Sequence, residues 1–373
     1  MLHRRGAVPA DGVPAEKHLN AAIDWIRTAR AAAADGGISK GYDLWRGRWA
    51  PSYLETTGYT IPTLLNAAVA LNRPELQLLA LSLADYLLER ATPEGGVAHW
   101  QAHSRSRPLV FDTGQVMFGW LAAFGASGDG RYLRAARRAA DWLVSIQDSS
   151  GAWRRFQHLD VAKVIDTRVA WAMLRLHQHA ENDAYLHCAV RNLEWALQQQ
   201  DPDGWFQHCA FVNGKDPFTH TLAYTAEGLF ESGQLVQEER YLTASQLTAD
   251  ALLRLQRADG SLAGSYGPGW RESSRSSCLT GNCQIARLWL GLYERSGNQA
   301  YYSAARKAIT FVTRTQDVDG TNPNVRGAVA GSYPICGRYE RFKYPNWATK
   351  FLIDSLLALE MAGGKGRQLA YVG

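Results

Sequence analysis

Four short stretches that share one pattern decide the fold: Tyr132-Leu133-Arg134-Ala135-Ala136, Tyr185-Leu186-His187-Cys188-Ala189, Tyr241-Leu242-Thr243-Ala244-Ser245 and Tyr301-Tyr302-Ser303-Ala304-Ala305. Nine residues beyond each tyrosine stands an acidic or polar residue, which an aromatic residue follows in three of the four copies. These pairs are Asp141-Trp142, Glu194-Trp195, Asp250-Ala251 and Thr310-Phe311. The pair also occurs upstream as Asp24-Trp25 and Asp85-Tyr86, so six copies follow one another about 53 to 61 residues apart. A period of this length indicates a repeat architecture.

Each copy predicts a hairpin of two helices. The first segment has apolar residues at positions i, i+3, i+4 and i+7, the spacing of one helical face. Most copies then reach a turn that begins with glutamine and contains the helix-stop residue glycine, at 147–153, 200–205, 256–260 and 316–320. A loop of about 17 to 28 residues follows. The second, more apolar helices are predicted to begin near Glu55, Asp112, Asp166, Thr219, Thr280 and Tyr344.

The two helices of a hairpin differ in polarity. The first carries Arg, Lys and Glu on one face and suits an outer ring, whereas the second, as at 115–121, is rich in apolar and small residues and suits an inner ring. We predict an all-α fold, an (α/α)6 barrel of six helical hairpins over residues 16–362, between loosely ordered tails at 1–15 and 363–373. An open superhelix of the same hairpins is the structural alternative. The closed ring is favoured because it needs no capping repeat.

Composition narrows the class of protein. The chain is 46% hydrophobic and 20% charged, its net charge is only +5, and no long block of Lys or Arg suggests nucleic acid or a membrane as partner. The N-terminal stretch lacks the apolar region of a secretory signal. Five scattered cysteines, with Cys278 and Cys283 at a spacing unusual for zinc, suggest reduced thiols. We therefore expect a cytoplasmic protein without cofactor and assign no metal ligands. The sequence leaves open whether a metal is bound and whether the protein forms a homodimer.

Geometry predicts where the working site lies. If the inner helices run parallel, their N-termini meet at one rim, and each contributes unpaired N–H groups and about half a positive charge. The long loops join the same rim. The result is an electropositive funnel suited to an anionic group or a developing oxyanion.

The residues at these helix starts are unusually polar. The candidate catalytic residues are Glu55, Asp112, Asp166, His220 and Tyr224. The candidate substrate-binding residues of the inner helices are Tyr59, Gln115, Arg168, Asn282, Gln284, Tyr344, Asn346, Trp347 and Lys350. Capping is an alternative role for Asp112 and Asp166, since Asp is a favoured N-cap and Asp-x-x-Gln fits a capping box. Capping does not explain polar residues further along a mostly apolar helix, which need partners when buried.

The rim loops supply further candidates for substrate binding: His99, Trp100, His103, Trp205, His208, Trp270, Arg271 and Tyr333. Trp153, His158 and Tyr266 lie in the same loops. Aromatic side chains can stack on the apolar face of a sugar ring, and they can equally stack on one another. The sequence leaves both roles open.

This organisation resembles the six-hairpin carbohydrate enzymes. That group includes unsaturated glucuronyl and rhamnogalacturonyl hydrolases, N-acylglucosamine 2-epimerases, several polysaccharide lyases and the C-terminal domain of uronate C5-epimerases. The resemblance is architectural and covers about residues 16 to 362, with its closest local matches at 219–229 and at the Asp112 and Asp166 starts. It implies an enzyme that acts on a small saccharide or oligosaccharide containing uronic acid or another polar sugar.

Two chemistries fit these residues. In a hydrolase, Asp112 and Asp166, with Glu55 in reserve, protonate the leaving oxygen or a substrate double bond and position water. In an epimerase or lyase, His220 and Tyr224, one helical turn apart, move the proton next to the substrate carboxylate. Arg168 or Lys350 then neutralises that carboxylate.

The sequence offers three rival interpretations. The Gln-x3-Gly-x-Trp of 147–153 resembles the repeat of squalene-cyclase-type terpenoid toroids, but the proton-donating Asp-x-Asp-Asp of that family is missing. The toroids of lanthionine cyclases need a Cys-His dipeptide for zinc, which this chain lacks. A non-catalytic saccharide-binding protein would keep the aromatic loops and tolerate loss of the acids.

Overall fold

The computed structural model describes residues 14–98 and 107–364. Within these ranges lie twelve α-helices, and the predicted tails fall outside them except for residues 14–15 and 363–364. Six helices form the outer ring: α1 (Ala15–Ala31), α3 (Pro74–Leu88), α5 (Gly130–Ile146), α7 (Asp183–Leu197), α9 (Glu239–Leu255) and α11 (Gln299–Thr313). Six form the inner ring: α2 (Leu54–Ala70), α4 (Val110–Ser127), α6 (Thr167–Ala180), α8 (Thr219–Val236), α10 (Leu279–Ser296) and α12 (Asn346–Ala362). The predicted inner-helix starts agree with these bounds to within two residues.

Short strands brace the long loops. They are β1 (Gly41–Asp43), β2 (Arg48–Trp49), β3 (Tyr266–Gly267), β4 (Arg271–Glu272), β5 (Ser277–Cys278), β6 (Ser332–Tyr333) and β7 (Lys343–Pro345). All pairings are antiparallel, in the orders β2-β1-β7, β3-β4 and β5-β6. Because β1 lies before α2 and β7 leads into α12, the first and last hairpins are tied together at the rim.

The repeated tyrosine and acid are two halves of one contact between neighbouring outer helices. The hydroxyl of Tyr185 on α7 donates to Asp141 on α5 at 2.7 Å, and Tyr241 on α9 donates to Glu194 on α7 at 2.7 Å. Tyr132 with Asp85 and Tyr301 with Asp250 repeat the bond. On each such helix the tyrosine hydroxyl therefore donates to the preceding outer helix. The acid nine residues later accepts from the following one.

The glutamine and glycine of each turn form a second repeated contact. The Gln147 amide donates to the Gly151 carbonyl of its own turn and to the Cys188 carbonyl on α7. Gly151 has φ +90°, and a β-carbon there would overlap the Arg191 carbonyl oxygen on the same helix. Only glycine combines this left-handed backbone with so close an approach. Gln200 with Gly204, and Gln256 with Gly260, dock in the same way on α9 and α11.

The last such contact closes the ring. The Gln316 amide on the turn after α11 donates to the His18 carbonyl on α1, and Gly327 lies against Ala21 of that helix. Here the docking glycine is Gly327, eleven residues beyond Gln316, and not the Gly320 that ends the repeated sequence pattern. The inner ring also closes, since α12 packs against α2. The open superhelix is therefore excluded.

Small residues bring the inner helices together at their N-terminal ends. Gly58 lies against Val116, Gly114 against Val169, and Gly281 against the backbone at 219–220. Because these contacts join the N-terminal ends of neighbouring inner helices, the helices run parallel. Inner helices are buried on nearly every side, whereas outer helices bury one face. None of the helices in the described ranges has the length and apolar character needed to cross a membrane.

Candidate functional site

The parallel inner helices collect polar side chains at their N-terminal ends. The buried residues there include most of those predicted from the inner-helix starts: Glu55, Tyr59, Asp112, Gln115, Arg168, His220, Tyr224, Gln284 and Lys350. Asp166 lies just before α6, in a 3-10 turn at 164–166 that packs against α4 and α8. The rim that was predicted from geometry is therefore present, with residues from all six inner helices.

One side of this site carries two carboxylates around a tyrosine that the sequence analysis did not select. The Tyr53 hydroxyl is buried, and burial, followed by the negative charges of Asp112 and Glu55 and a hydrogen bond to Glu55, raises its pKa well above the usual value. Asp112 and Glu55, from neighbouring helices, therefore face the same hydroxyl. Asp112 is the third residue of α4 and does not occupy the N-cap, which is Leu109.

Asp166 is a carboxyl group in a different environment. It is fully buried, the Gln157 amide donates to its Oδ2, and its Oδ1 has no hydrogen-bond partner. Burial raises its pKa well above the usual value, and the nearby Lys163 only partly opposes that shift. Asp166 stands at the N-cap position of α6, but its side chain makes no capping hydrogen bond. Capping therefore does not account for this carboxyl group.

His220 is held in one tautomer. Its Nδ1 lies 2.6 Å from Oε1 of Gln284, and a carbonyl oxygen can only accept, so Nδ1 carries the proton and Nε2 presents a lone pair. Burial lowers the pKa of His220 to about 3, and the bond to Gln284 opposes this effect. The Tyr224 ring lies 4.2 Å from the imidazole, and the Tyr224 hydroxyl is 3.5 Å from that of Tyr59.

Arg168 forms the cationic centre of the cluster. Its Nε donates to Gln115 at 2.9 Å, its Nη1 pairs with Glu227, and its Nη2 has no hydrogen-bond partner. The guanidinium also lies 4.9 Å from the Tyr224 ring centre. Glu227, which Arg287 also contacts, was not selected from the sequence. The signal was a carboxylate in the middle of a predicted inner helix, α8, where burial requires a cationic partner.

Lys350 lies among aromatic rings on α12. Its ammonium is 4.2 Å from the Phe351 ring centre and pairs with Asp354 at 2.8 Å. Burial lowers its pKa to about 8, which Asp354 partly opposes. Tyr59 lies 4.9 Å away, so this lysine borders the same cluster as His220 and Tyr224.

Several predicted binding residues are engaged in holding the rim. The Asn282 amide bonds the Cys278 carbonyl, and Asn346 bonds both the Ser39 carbonyl and Thr56. The Trp347 indole donates to the Tyr339 hydroxyl at 2.8 Å. Tyr344 lies in β7, which pairs with β1 of the first hairpin. Tyr339, also unselected from the sequence, has its ring 5.4 Å from His220.

The loop aromatics contact each other. The indoles of Trp205 and Trp270 donate to the carbonyls of Tyr266 and Asp203, and Trp270 packs edge-on against Tyr266. Trp153 is fully buried. His208 is exposed, Arg271 pairs with Asp216, and Tyr333 packs against Phe311. His99, Trp100 and His103 lie outside the described residues. A role of these loop residues in binding stays a prediction.

Comparison with known proteins identifies the fold. No protein-family model and no curated protein matches the sequence. An unsaturated glucuronyl hydrolase from Bacillus sp. GL1 superposes with a TM-score of 0.74 at 15% identity, covering 95% of this chain and 98% of the other. A heparin-specific unsaturated glucuronyl hydrolase gives 0.72 at 15% identity, covering 94% and 98%. Cellobiose 2-epimerase from Bacillus thermoamylovorans B4167 gives 0.70 at 11% identity, covering 91% and 99%.

The likeness is one of fold. It extends over nearly the whole chain and includes the two kinds of enzyme, hydrolase and epimerase, between which the sequence did not choose. The predicted resemblance to six-hairpin toroid enzymes is thereby confirmed at the level of architecture. The site itself offers a buried acid, a carboxylate pair, a neutral imidazole and a central guanidinium, so both proton donation and proton abstraction are available to it.

Proposed function

We propose that the protein is a carbohydrate-active enzyme that hydrolyses a saccharide containing uronic acid at the N-terminal end of its inner ring. The single observation that carries this proposal is Asp166, whose burial raises its pKa and favours the protonated form that a general acid needs. Its Oδ1 is the free oxygen that would face the substrate. Asp112, with Glu55 beside it, remains as the carboxylate that positions water.

Two further features support an acidic substrate. Arg168 has one unpartnered nitrogen in a buried setting, which a substrate carboxylate would satisfy. The six helix N-termini add partial positive charge to the same rim. The structural neighbours point in the same direction, since one of them is described as responsible for the degradation of glycosaminoglycan. The polar lining also disfavours a terpenoid cyclase, which needs a largely apolar funnel.

The test uses disaccharides with an unsaturated uronic acid at the non-reducing end. Protonation of the double bond conjugated to the carboxylate removes its ultraviolet absorbance, so turnover is followed directly. We expect turnover by the wild type and loss of it in Asp166→Asn and Asp112→Asn, neither with a lowered melting temperature. Full turnover in both variants would reject this pair as the catalytic acids.

A second candidate is an epimerase, favoured by the tautomer of His220. A lone pair on Nε2, fixed by Gln284, is the form required of a base. This reaction would incorporate deuterium from solvent at the carbon next to the substrate carbonyl or carboxylate, as followed by NMR. Deuterium incorporation that disappears in His220→Gln but persists in Asp166→Asn would favour the epimerase over the hydrolase.

We also propose that residues 16–362 form the whole catalytic unit and that the protein acts in the cytoplasm. The support for the second point is that all five cysteines are free. Cell fractionation tests the location, and light scattering tests whether a homodimer forms.

A further inference from the structure

The loop that joins α5 to α6 carries two buried polar residues beside Asp166. We call residues 156–163 the acid loop. Within it Gln157 is 2% exposed and Lys163 is 4% exposed, although the residues between them are mostly at the surface. Neither was selected from the sequence. A buried amide and a buried ammonium group both need partners, so their position calls for an explanation.

The backbone of the acid loop is strained. Three of five successive residues have a left-handed backbone without being glycine: Phe156 with φ +62°, Leu159 with φ +67° and Asp160 with φ +49°. Such conformations cost free energy and persist only where surrounding contacts hold them. Leu159 is 56% exposed, so burial of its own side chain does not offset this cost. The contacts that hold the loop must come from elsewhere.

The segment that leads into α4 supplies those contacts. The Arg107 guanidinium donates to both carboxylate oxygens of Asp160, at 3.0 and 2.8 Å, and to the Gln157 carbonyl at 2.8 Å. The Val110 amide donates to the Phe156 carbonyl at 2.9 Å. A bidentate pair of arginine and carboxylate fixes orientation as well as distance. The start of one inner helix therefore holds the loop that leads to the next.

Both buried polar groups of the acid loop act on Asp166. The Gln157 amide donates to Oδ2, and Oδ1 has no hydrogen-bond partner. In a protonated carboxyl group the carbonyl oxygen is the better acceptor, so this bond favours a proton on Oδ1. The Lys163 ammonium donates to the His158 carbonyl at 3.2 Å, and its positive charge opposes the effect of burial on the pKa of Asp166.

Other ionisable groups around this carboxyl group are engaged elsewhere. The turn at 164–166 packs against α4, α6 and α8. Asp112 on α4 faces a tyrosine hydroxyl, and Arg168 on α6 pairs with Glu227 on α8. His220 and Tyr224, also on α8, pack on each other. Burial apart, the described residues that act on the pKa of the general acid thus belong to the acid loop. The remaining charged groups and histidines of these helices lie nearer their C-terminal ends: Arg175, His177, His179 and Glu231.

We propose that Gln157 and Lys163 are positioning residues of the general acid. Gln157 keeps the proton of Asp166 on Oδ1, and both residues stabilise the carboxylate that remains once the proton has passed to the substrate. The electron pair of the broken O–H bond stays on Asp166, and the water consumed in hydrolysis returns one proton to the protein. This inference rests on the proposed function, in which Asp166 donates the proton.

The kinetic test follows turnover of the unsaturated disaccharide against pH in Gln157→Met, which keeps the side-chain length and removes the donor. We expect kcat to fall about tenfold, as for loss of one hydrogen bond to a charged group, with KM unchanged. Activity needs protonated Asp166 and is lost as the pH rises through its pKa. Without the donor that pKa is higher, so the loss moves to higher pH. A merely structural role would lower kcat or the melting temperature without this movement.

Lys163→Met should move the loss of activity in the same direction, because the positive charge that stabilises the carboxylate is gone. Lys307→Met, which removes an exposed lysine from α11 on the outer ring, is the matched control. Asp160→Asn is a third variant that changes no buried residue. It weakens the ion pair with Arg107 at the surface and should give a smaller movement in the same direction.

A carbon-13 NMR titration of the Asp166 carboxyl group, the signal absent from Asp166→Asn, provides a readout that needs no turnover. Titration at higher pH in Gln157→Met, Lys163→Met and Asp160→Asn, but not in Lys307→Met, supports the proposal. Titration at the wild-type pH in all of them would overturn it and leave the proposed function intact. If the titration moves as expected and no saccharide is turned over, the proposed hydrolysis fails while the action of the acid loop on Asp166 stands.

Discussion

The outer ring and the N-terminal ends of the inner helices arise from the same six hairpins, yet the first is uniform and the second is not. Neighbouring outer helices are joined by a tyrosine–acid bond and a glutamine–glycine turn that recur around the ring. The inner helices offer a different polar group at almost every start, such as Glu55, Arg168 and His220. Residues that recur hold the ring together, and residues that do not recur are available for chemistry.

The contrast predicts its largest effect for two aspartates, Asp166 at the inner-helix starts and Asp141 in the outer ring, whose substitutions should affect turnover very differently. Asp166→Asn should lower turnover roughly 10³-fold, since general acid catalysis contributes about 10² to 10⁴. Its melting temperature should not fall, because the buried wild-type carboxyl already costs stability as the pH rises. Asp141→Asn, in the tyrosine–acid contact of the outer ring, is expected to behave in the opposite way, with turnover retained and stability reduced. Similar kinetics in the two variants would remove the distinction between the rings.

The pH dependence of stability distinguishes two histidines. The unfolded chain protonates His220 near 6.5, whereas the folded protein does so only at about 3, so the unfolded state binds more protons between these values. Stability is therefore complete above pH 6.5 and falls as the pH is lowered toward 3, by roughly a few kcal/mol. His220→Gln should flatten this dependence in urea unfolding. His187→Gln, on the exposed face of α7, should leave the slope as it is.

The contribution of Asp166 to the pH dependence of stability has the opposite sign. Its pKa is raised on folding, so the folded protein holds a proton that the unfolded chain releases above about 3.8. Stability that depends on this proton is present at low pH and is lost as the pH rises toward the folded pKa. Relative to wild type, Asp166→Asn should therefore gain free energy of unfolding as the pH increases above 4. A constant difference across the pH range would show that Asp166 has an ordinary pKa.

Substitution of a docking glycine should have a smaller effect, a loss of stability in the outer ring. Gly151→Ala forces a β-carbon against the Arg191 carbonyl at a positive φ and should cost about 3 kcal/mol. Gly128 has φ +71°, but no atom lies within 4 Å of an added β-carbon. Gly128→Ala should therefore cost only about 1 kcal/mol of stability. Guanidinium unfolding measures both. Equal losses would mean that backbone strain, and not docking, determines the cost.

The smallest effect is expected at the tyrosine–acid bond itself. Tyr185→Phe should lose about 1 kcal/mol, the net contribution of one hydrogen bond, because the half-exposed Asp141 regains water. Thermal unfolding of Tyr185→Phe beside the wild type checks this value, and activity should remain unchanged. A loss of activity here would mean that outer-ring contacts reach the site.

The uniform ring could be predicted from the sequence, and the site only in part. Repetition singled out the residues of the outer contacts, such as Tyr185 and Asp141, although it did not show that they bond to each other. The polar starts gave Asp166 and His220, since buried polar residues stand out in an apolar helix. Sequence reasoning missed Tyr53 and Glu227 because their importance depends on partners from other helices, Asp112 and Arg168, which no repeat encodes.

The loops were the least predictable part. An insertion in the sixth repeat displaced the docking glycine from Gly320 to Gly327, which spacing alone does not reveal. Loop tryptophans such as Trp205 were candidates for sugar stacking, but the Trp205 indole bonds a backbone carbonyl. Composition identifies an aromatic loop, and only three-dimensional packing decides which rings remain available to a ligand.

The junction between the turn after α11 and helix α1 has a consequence for the order of the hairpins. Because this junction repeats the glutamine–glycine contact of the internal ones, the ring is not held together by chain order alone. A gene opened at another short turn, such as the one around Gly128, would encode the same circle of helices. The position at which the chain starts is then separable from the circle of helices, and the rim would present the same chemical groups wherever the chain is opened.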